Sequence, residues 1–95
     1  MPAYWIGEHE ITDAEKFADY LRQAIPIIER FGGRYLTRAS SHDVLEGHWQ
    51  PNRIAVIEFP DMATLKAFYR AAEYQPLIAL RQESAKDMII AADGI

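Results

Sequence analysis

Residues 53–69 of this 95-residue sequence, RIAVIEFPDMATLKAFY, decide the fold. Along Arg53–Pro60 apolar residues fall on both sides of a strand, which predicts that both faces are covered. Pro60 has no N–H to continue a ladder, and Asp61 can cap a helix that begins at once. The helix then carries an apolar stripe at the spacing of one buried face: Leu65, Phe68, Tyr69 and Ala72.

Strand and helix signals continue on both sides of this stretch. Ala3–Ile11 alternates as a first strand, and a capping box opening at Thr12 begins a first helix. Pro26 is expected to kink or divide that helix, and Gly32-Gly33 to end it. The remaining predicted segments are a second strand at Arg34–Ala39, a long connection over Ser40–Asn52, a short helix within Tyr74–Ser84 and a last strand at Met88–Ala92.

This order is β-α-β-β-α-β with an extra helix before the last strand, which is the ferredoxin-like arrangement of an α+β fold. The right-handed crossover rule places one strand between the two that flank the first helix. Arg53–Pro60 is the most apolar strand and takes that place. We expect an antiparallel sheet with both main helices on one face, within a single domain over residues 1–95.

The second face of that sheet is predicted to be apolar and uncovered. Monomers rarely expose an apolar patch of more than a few hundred Å². Burying several large side chains, at ~1.5–3 kcal/mol each, would outweigh the ~4–15 kcal/mol that association costs. The sequence therefore predicts a two-fold homodimer joined sheet face to sheet face.

Composition argues against several classes of function. The net charge is −4 without a basic cluster, so nucleic-acid binding is not expected. There is no cysteine, no phosphate loop and no dinucleotide fingerprint, so no cofactor is expected. No apolar stretch approaches the ~20 residues that span a bilayer, and no secretory signal is seen. We therefore expect a cytoplasmic protein that does not associate with membranes. The metal-capable side chains of the long connection match no standard spacing and indicate a solvated loop: His42, Asp43, Glu46 and His48.

Glu58 is the first candidate for chemistry, because a carboxylate within a central apolar strand is costly to bury unless it is paired or protonated. It is a candidate general acid or base. The alternative is a structural ion pair with Arg81 or Arg38. Arg38, Arg81 and Arg34 could instead hold a small anion, since guanidinium groups match carboxylates. For Arg34 and Arg38 the alternative is that they are solvated charges on one face of an edge strand.

Aromatic residues could line a pocket and offer polar groups to a ligand. Tyr74 is one candidate, whereas core packing is favoured for Trp5 and Tyr69. Trp49 lies in the long connection and could be a pocket lid or a dimer contact. His9, near the end of the first strand, is expected to be exposed.

Several segments together resemble domain-of-unknown-function family 1330, within the dimeric α+β barrel superfamily. They are MPAYWI at residues 1–6, GGRYLTR at 32–38, LEGHW at 45–49 with the following Pro51, VIEFP at 56–60 and EYQPLIALR at 73–81. The resemblance spans nearly the whole chain and implies a dimer whose two sheets close into a barrel. It implies no established activity, and the wider superfamily resembles a collection of small oxygenases, isomerases and haem-handling proteins.

Two functional hypotheses follow. In the first, an enzyme without a bound cofactor holds a small organic acid or aromatic compound between sheet and helices. Glu58 would move a proton, Arg81 or Arg38 would bind an anionic group, and Tyr74 would orient the substrate. In the second, the chain is a non-catalytic ligand-binding or structural dimer whose polar cluster only stabilises the barrel. A cavity of ~300 Å³ or more beside Glu58 would favour ligand binding, and a packed ion pair the structural role.

Overall fold

The computed structural model of the chain describes residues 1–39 and 41–95. Within them four strands and three helices follow one another: β1 (Ala3–Ile11), α1 (Ala14–Arg30), β2 (Arg34–Ala39), β3 (Ile54–Phe59), α2 (Met62–Arg70), α3 (Gln75–Ser84) and β4 (Ala85–Asp93). No helix of this described chain is both long and apolar enough to cross a membrane.

The strands form one antiparallel sheet in the order β2-β3-β1-β4. β3 lies between β1 and β2, as the crossover rule predicted, and β4 closes the other edge. Three helices contribute their apolar sides to a core against one face of the sheet. The predicted ferredoxin-like α+β fold is confirmed.

The helix termini follow from local sequence, with one correction. Asp61 caps α2 by accepting a hydrogen bond from the Thr64 backbone N–H at 2.7 Å, as predicted. The N-cap of α1 is Asp13, which accepts from the Lys16 N–H at 3.1 Å, and not Thr12. The reason is that the backbone N–H groups of Thr12 and Asp13 both donate to the Ser84 carbonyl, which holds them at the end of α3.

The end of α1 is determined by two glycines. The helix runs unbroken through Pro26, so the predicted division into two pieces does not occur. Gly32 adopts a φ of +77°, the left-handed conformation that ends a helix. A Cβ on Gly33 would lie 2.7 Å from Ile28 Cγ2 and 2.8 Å from a ring atom of Phe59, so this position allows the close approach of helix and sheet.

An aromatic cluster fills the space between helices and sheet. Phe59, Phe68 and Tyr74 are fully buried, and the rings of Phe68 and Tyr74 lie 4.3 Å apart. Trp5 is buried as expected, at 3% exposure. Tyr69, predicted to pack in the core, is 43% exposed; its ring packs against Trp5 and Tyr74, with centroids 5.9 and 6.2 Å apart.

The opposite face of the sheet carries apolar side chains that the described helices leave uncovered. Met88 is 67% and Ile90 62% exposed there, beside half-buried Ile6 and Val56. The Cα atoms span 35 × 35 × 15 Å, the shape of one sheet layer and one helix layer. We call this surface the open face; its existence is the premise from which the homodimer was predicted.

The long connection forms no strand over its described residues, 41–52. Leu45, within it, is 90% exposed. Ser40, where the predicted connection begins, lies outside the described residues. The connection returns to the sheet at β3, close to the end of the open face.

Candidate functional site

A β-bulge in β2, between Tyr35 and Thr37, separates two arginines that were expected to share a face. The extra residue reverses the alternation of side chains beyond it. Arg34, before the bulge, lies on the open face, whereas Arg38, after it, pairs with Ala55 on the helix-covered face. The prediction of a shared face is therefore wrong, and the bulge places one guanidinium on each side of the sheet.

Glu58 lies on the open face. Its carboxylate accepts a hydrogen bond from Arg34 Nε at 2.9 Å and one from the Tyr4 hydroxyl at 3.3 Å. The predicted partners, Arg81 and Arg38, are wrong, because both lie on the other side of the sheet. With the Glu58 side chain 26% and the Arg34 side chain 71% exposed, this pair contributes only about 0–1 kcal/mol. Its catalytic role stays a prediction.

A buried polar triad occupies the helix-covered side: His9 on β1, Asp87 on β4 and Arg81 on α3. His9 Nδ1 lies 2.5 Å from Asp87 Oδ1, and Arg81 Nη1 donates to Asp87 Oδ2 at 2.8 Å. The strand register places His9 directly opposite Asp87 on the inner face. His9 is only 5% exposed, so its expected exposure is wrong.

The triad is costly to bury. The side chains of Arg81 and Asp87 are 3% and 6% exposed, and desolvation costs several kcal/mol per ion. Burial by itself would lower the pKa of Arg81. The hydroxyls of Tyr74 and Tyr20 and the Asp87 carboxylate act in the opposite direction, so the pKa of Arg81 is raised and its side chain stays charged. Buried, paired ionisable groups of this kind concentrate at functional sites.

The triad also sets the proton arrangement of His9. An ionised carboxylate only accepts hydrogen bonds, so Nδ1 donates to Asp87; in the neutral form of the imidazole, Nε2 is then the acceptor. Among the described residues no hydrogen bond engages Nε2. A Cβ on Gly7 would lie 3.0 Å from Nε2, so the absence of a side chain at this position leaves room beside that atom.

A small cavity adjoins His9 between the sheet and α1. It measures about 10 Å³, enough for roughly one water molecule. Its wall is formed by Trp5, His9, Phe17, Tyr20, Leu21, Tyr35, Arg38, Arg53 and Ala55. The exposed Arg38 guanidinium lies 4.8 Å from the centroid of the Tyr35 ring, and burial raises the pKa of Tyr35 to about 12.

Tyr74 does not line this cavity, but it contacts Tyr20, which does. Its hydroxyl lies 2.8 Å from the hydroxyl of Tyr20, which is part of the cavity wall. Burial raises the pKa of both phenols, so both remain neutral donors and acceptors. Tyr74 thus orients Tyr20, and a direct contact of Tyr74 with a ligand stays a prediction.

Trp49 lies away from the triad, at the end of the open face. It is 59% exposed and shares a cavity of 110 Å³ with open-face residues, among them Ile6, Ile54 and Ile90. Whether it serves as a lid or a dimer contact stays a prediction. The residues described include no group of three side chains able to hold a metal ion.

Sequence reasoning missed His9 and Asp87 as partners. The alternation of β1 was a usable signal, because it placed His9 on the same face as Trp5. The sequence could not predict the strand register that sets His9 opposite Asp87. It also could not predict that α3 continues directly into β4, which brings Arg81 beside them.

A four-stranded antiparallel sheet, helices on one face and a polar triad between the layers define a ferredoxin-like α+β protein. The chain matches the model of the family described as Domain of unknown function (DUF1330) over residues 2–95, and it belongs to that family. No curated protein matches the chain.

Solved structures share the fold at low sequence identity. RPA0582, a protein of unknown function from Rhodopseudomonas palustris, is 20% identical with a TM-score of 0.80, over 99% of this chain and 82% of that one. A variant of SnoaB, a cofactor-independent oxygenase from Streptomyces nogalater, is 11% identical with a TM-score of 0.75, over 98% and 92%. A dimeric ferredoxin-like protein of unknown function from Jannaschia sp. CCS1 is 13% identical with a TM-score of 0.65, over 99% and 100%.

Proposed function

We propose that this protein is a cofactor-independent enzyme that transfers a proton on a small organic acid or aromatic compound, with His9 as the base. The buried triad is the observation that carries this proposal. A carboxylate bonded to Nδ1 orients an imidazole and stabilises the imidazolium that forms when Nε2 takes a proton. Arg81 positions Asp87 from the other side.

The residues around the cavity indicate the substrate class. Its wall is mainly aromatic, and Arg38 and Arg53 add two guanidinium groups. Such a set fits an aromatic or short organic acid, its carboxylate at the arginines and its body against the rings. Because the cavity has room for only about one water molecule, the exposed Arg38 and half-buried Leu21 must move outward on binding.

Proton transfer needs no group beyond this chain. Nε2 of His9 accepts a proton from an acidic C–H of the substrate, the electron pair moves onto the neighbouring carbonyl, and the resulting enolate is held near the Tyr20 hydroxyl. The imidazolium then returns a proton to the same carbon or to another. The name of SnoaB supports the proposal in one respect: it describes this fold hosting chemistry without a cofactor.

Hydrogen–deuterium exchange tests this proposal without knowledge of the natural substrate. Phenylpyruvate, an aromatic 2-oxo acid with acidic benzylic protons, is incubated with the protein in D₂O and followed by proton NMR. The protein should accelerate exchange, and His9→Gln should reduce the acceleration about 10²–10⁴-fold. Gly7→Ala should also reduce it, because the added methyl would press on Nε2.

Matched variants separate the possible bases. His42→Gln, in the solvated loop, controls for loss of an imidazole and should exchange at the wild-type rate. Glu58→Gln tests the carboxylate predicted from sequence. Loss of exchange in Glu58→Gln but not in His9→Gln would identify Glu58 as the base. No acceleration by the wild-type protein would reject the enzyme in favour of the second candidate.

The second candidate is a non-catalytic dimer module, favoured by the small size of the cavity beside His9. In this case the triad only connects α3, β4 and β1. His9→Gln would then lower the melting temperature of the protein and leave exchange at the rate without protein.

We further propose that the chain acts as a single domain and forms a homodimer through its open face. The exposed Met88 and Ile90 support this, as does the dimer named for the Jannaschia protein of the same fold. We propose the cytoplasm as its compartment: a chain without cysteine gains nothing from an oxidising one. Microscopy of the tagged protein in its host tests that compartment.

A further inference from the structure

A groove runs along the β4 edge, beside α2 and α3, on the far side of the triad from the His9 cavity. Two adjoining cavities of 440 and 260 Å³ form it, and they share Tyr69 and Ile89. The other lining residues are Arg81, Gln82, Ala85 and Asp87 in the first, and Trp5, Leu65, Lys66, Arg70, Ile90 and Ala91 in the second. Volumes of this size hold small organic ligands.

The charge of the groove is positive. Arg81 stands at one end, and Lys66 and Arg70 line the other. Asp87, the one carboxylate among the lining residues given above, is already bonded to both His9 and Arg81. The groove therefore has cationic side chains in excess and favours an anion.

Arg81 has donor capacity that the protein leaves unused. Its side chain is 3% exposed, and its Nε has no hydrogen-bond partner among the described residues. Its Nη1 is the atom that bonds Asp87. A buried guanidinium with an unpartnered N–H group is costly, and a carboxylate beside it would relieve that cost.

The middle of the groove is apolar. Tyr69 presents an exposed ring there, backed by Trp5, and Ile89 lies opposite on β4. This arrangement explains why Tyr69, which falls on the apolar stripe of α2, is not in the core. An apolar body attached to an anionic group would contact Tyr69 and Ile89 while its charge lies near Arg81.

We propose that this groove is a binding site for small monocarboxylic acids that carry an aromatic or short aliphatic body. The carboxylate binds at Arg81, and the body packs on Tyr69 and Ile89. The site is separate from the His9 cavity and does not depend on catalysis there.

An NMR titration of the ¹⁵N-labelled protein with 4-phenylbutyrate tests the site. Saturable shifts should centre on the amides of Tyr69, Gln82 and Ile89, and the neutral analogue 4-phenylbutanol should bind more weakly. Gln82→Glu replaces an exposed side chain with an isosteric carboxylate at the Arg81 end and should weaken phenylbutyrate binding about ten-fold by like-charge repulsion. Gln50→Glu makes the same change in the long connection and should bind like the wild type.

The outcomes separate this site from the proposed active site. Arg38→Gln, at the His9 cavity, should leave the phenylbutyrate-dependent shifts of Tyr69, Gln82 and Ile89 unchanged. Weakening by Arg38→Gln but not by Gln82→Glu would place the ligand in the His9 cavity and overturn the groove site. Absence of saturable shifts, equal loss in Gln50→Glu, or equal affinity for phenylbutanol would overturn it as well.

Discussion

The open face gives the sharpest prediction, through Ile90→Glu. Ile90 lies on the edge strand β4 opposite Ile6, on the apolar open face, and keeps 62% of its area exposed in the single chain. If two chains pack open face to open face, that area becomes buried in both. The substitution should therefore weaken association while leaving the helix-side core intact.

The expected magnitude follows from the exposed area. Complete burial of an isoleucine side chain contributes about 1.5–3 kcal/mol, so the exposed part of Ile90 accounts for about 1–2 kcal/mol per subunit. A two-fold interface contains the residue twice, which gives about 2–4 kcal/mol. This corresponds to a dissociation constant raised about 30- to 700-fold. Burial of the new carboxylate adds to the loss, so this range is a lower bound.

Sedimentation velocity across the micromolar range measures the effect. The wild-type chain should sediment as a dimer and Ile90→Glu as a monomer with a native circular dichroism spectrum. Ala67→Glu, on the exposed side of α2, controls for the added charge and should remain dimeric. A monomeric wild type at these concentrations, or a dimer unaffected by Ile90→Glu, would refute association through this face.

Two further predictions concern the buried phenols. Tyr20→Phe leaves the Tyr74 hydroxyl without its partner and should lower the free energy of unfolding in urea by about 1–3 kcal/mol. The double variant, with Phe at both positions, should lose less than the sum of the two single variants. Additive losses would show that the two hydroxyls are not coupled. The second prediction concerns high pH. Burial favours the neutral phenol in the folded state, so it raises the pKa of Tyr35 to about 12 and also raises the pKa values of Tyr20 and Tyr74. Their contribution to stability is therefore full below the unfolded value of about 10 and is lost as the pH rises through the folded values. The urea concentration at the unfolding midpoint should therefore decrease as the pH rises through that range. Complete tyrosinate absorbance near pH 10 in a still-folded protein would contradict this.

The fold was predictable because its signals are local. The apolar run of β3, the cap at Asp61 and the left-handed Gly32 each follow from a few neighbouring residues, and the crossover rule then leaves one strand order. The predicted N-cap of α1 was wrong because a long-range contact decides it. Asp13 replaces Thr12 as the cap because a distant carbonyl, that of Ser84, binds the backbone there.

The site was predictable only in part. Arg38, Tyr74 and Arg81 all lie on the helix-covered side, as a pocket between sheet and helices requires, but Glu58 does not. The prediction paired Glu58 with the wrong arginines, because a single extra residue in β2 sends Arg34 and Arg38 to opposite faces. A bulge leaves little trace in sequence, since it depends on how two strands align.

The sequence by itself determined the order of elements, the antiparallel sheet and an apolar second face, since these depend on short-range periodicity and turn chemistry. Only the tertiary structure decided which charges meet. His9, Asp87 and Arg81 come from a first strand, a last strand and the helix before it, and they meet only when β1 and β4 pair in one register. Packing determines which charged side chains meet when they are far apart in sequence, and local sequence patterns do not predict these pairs.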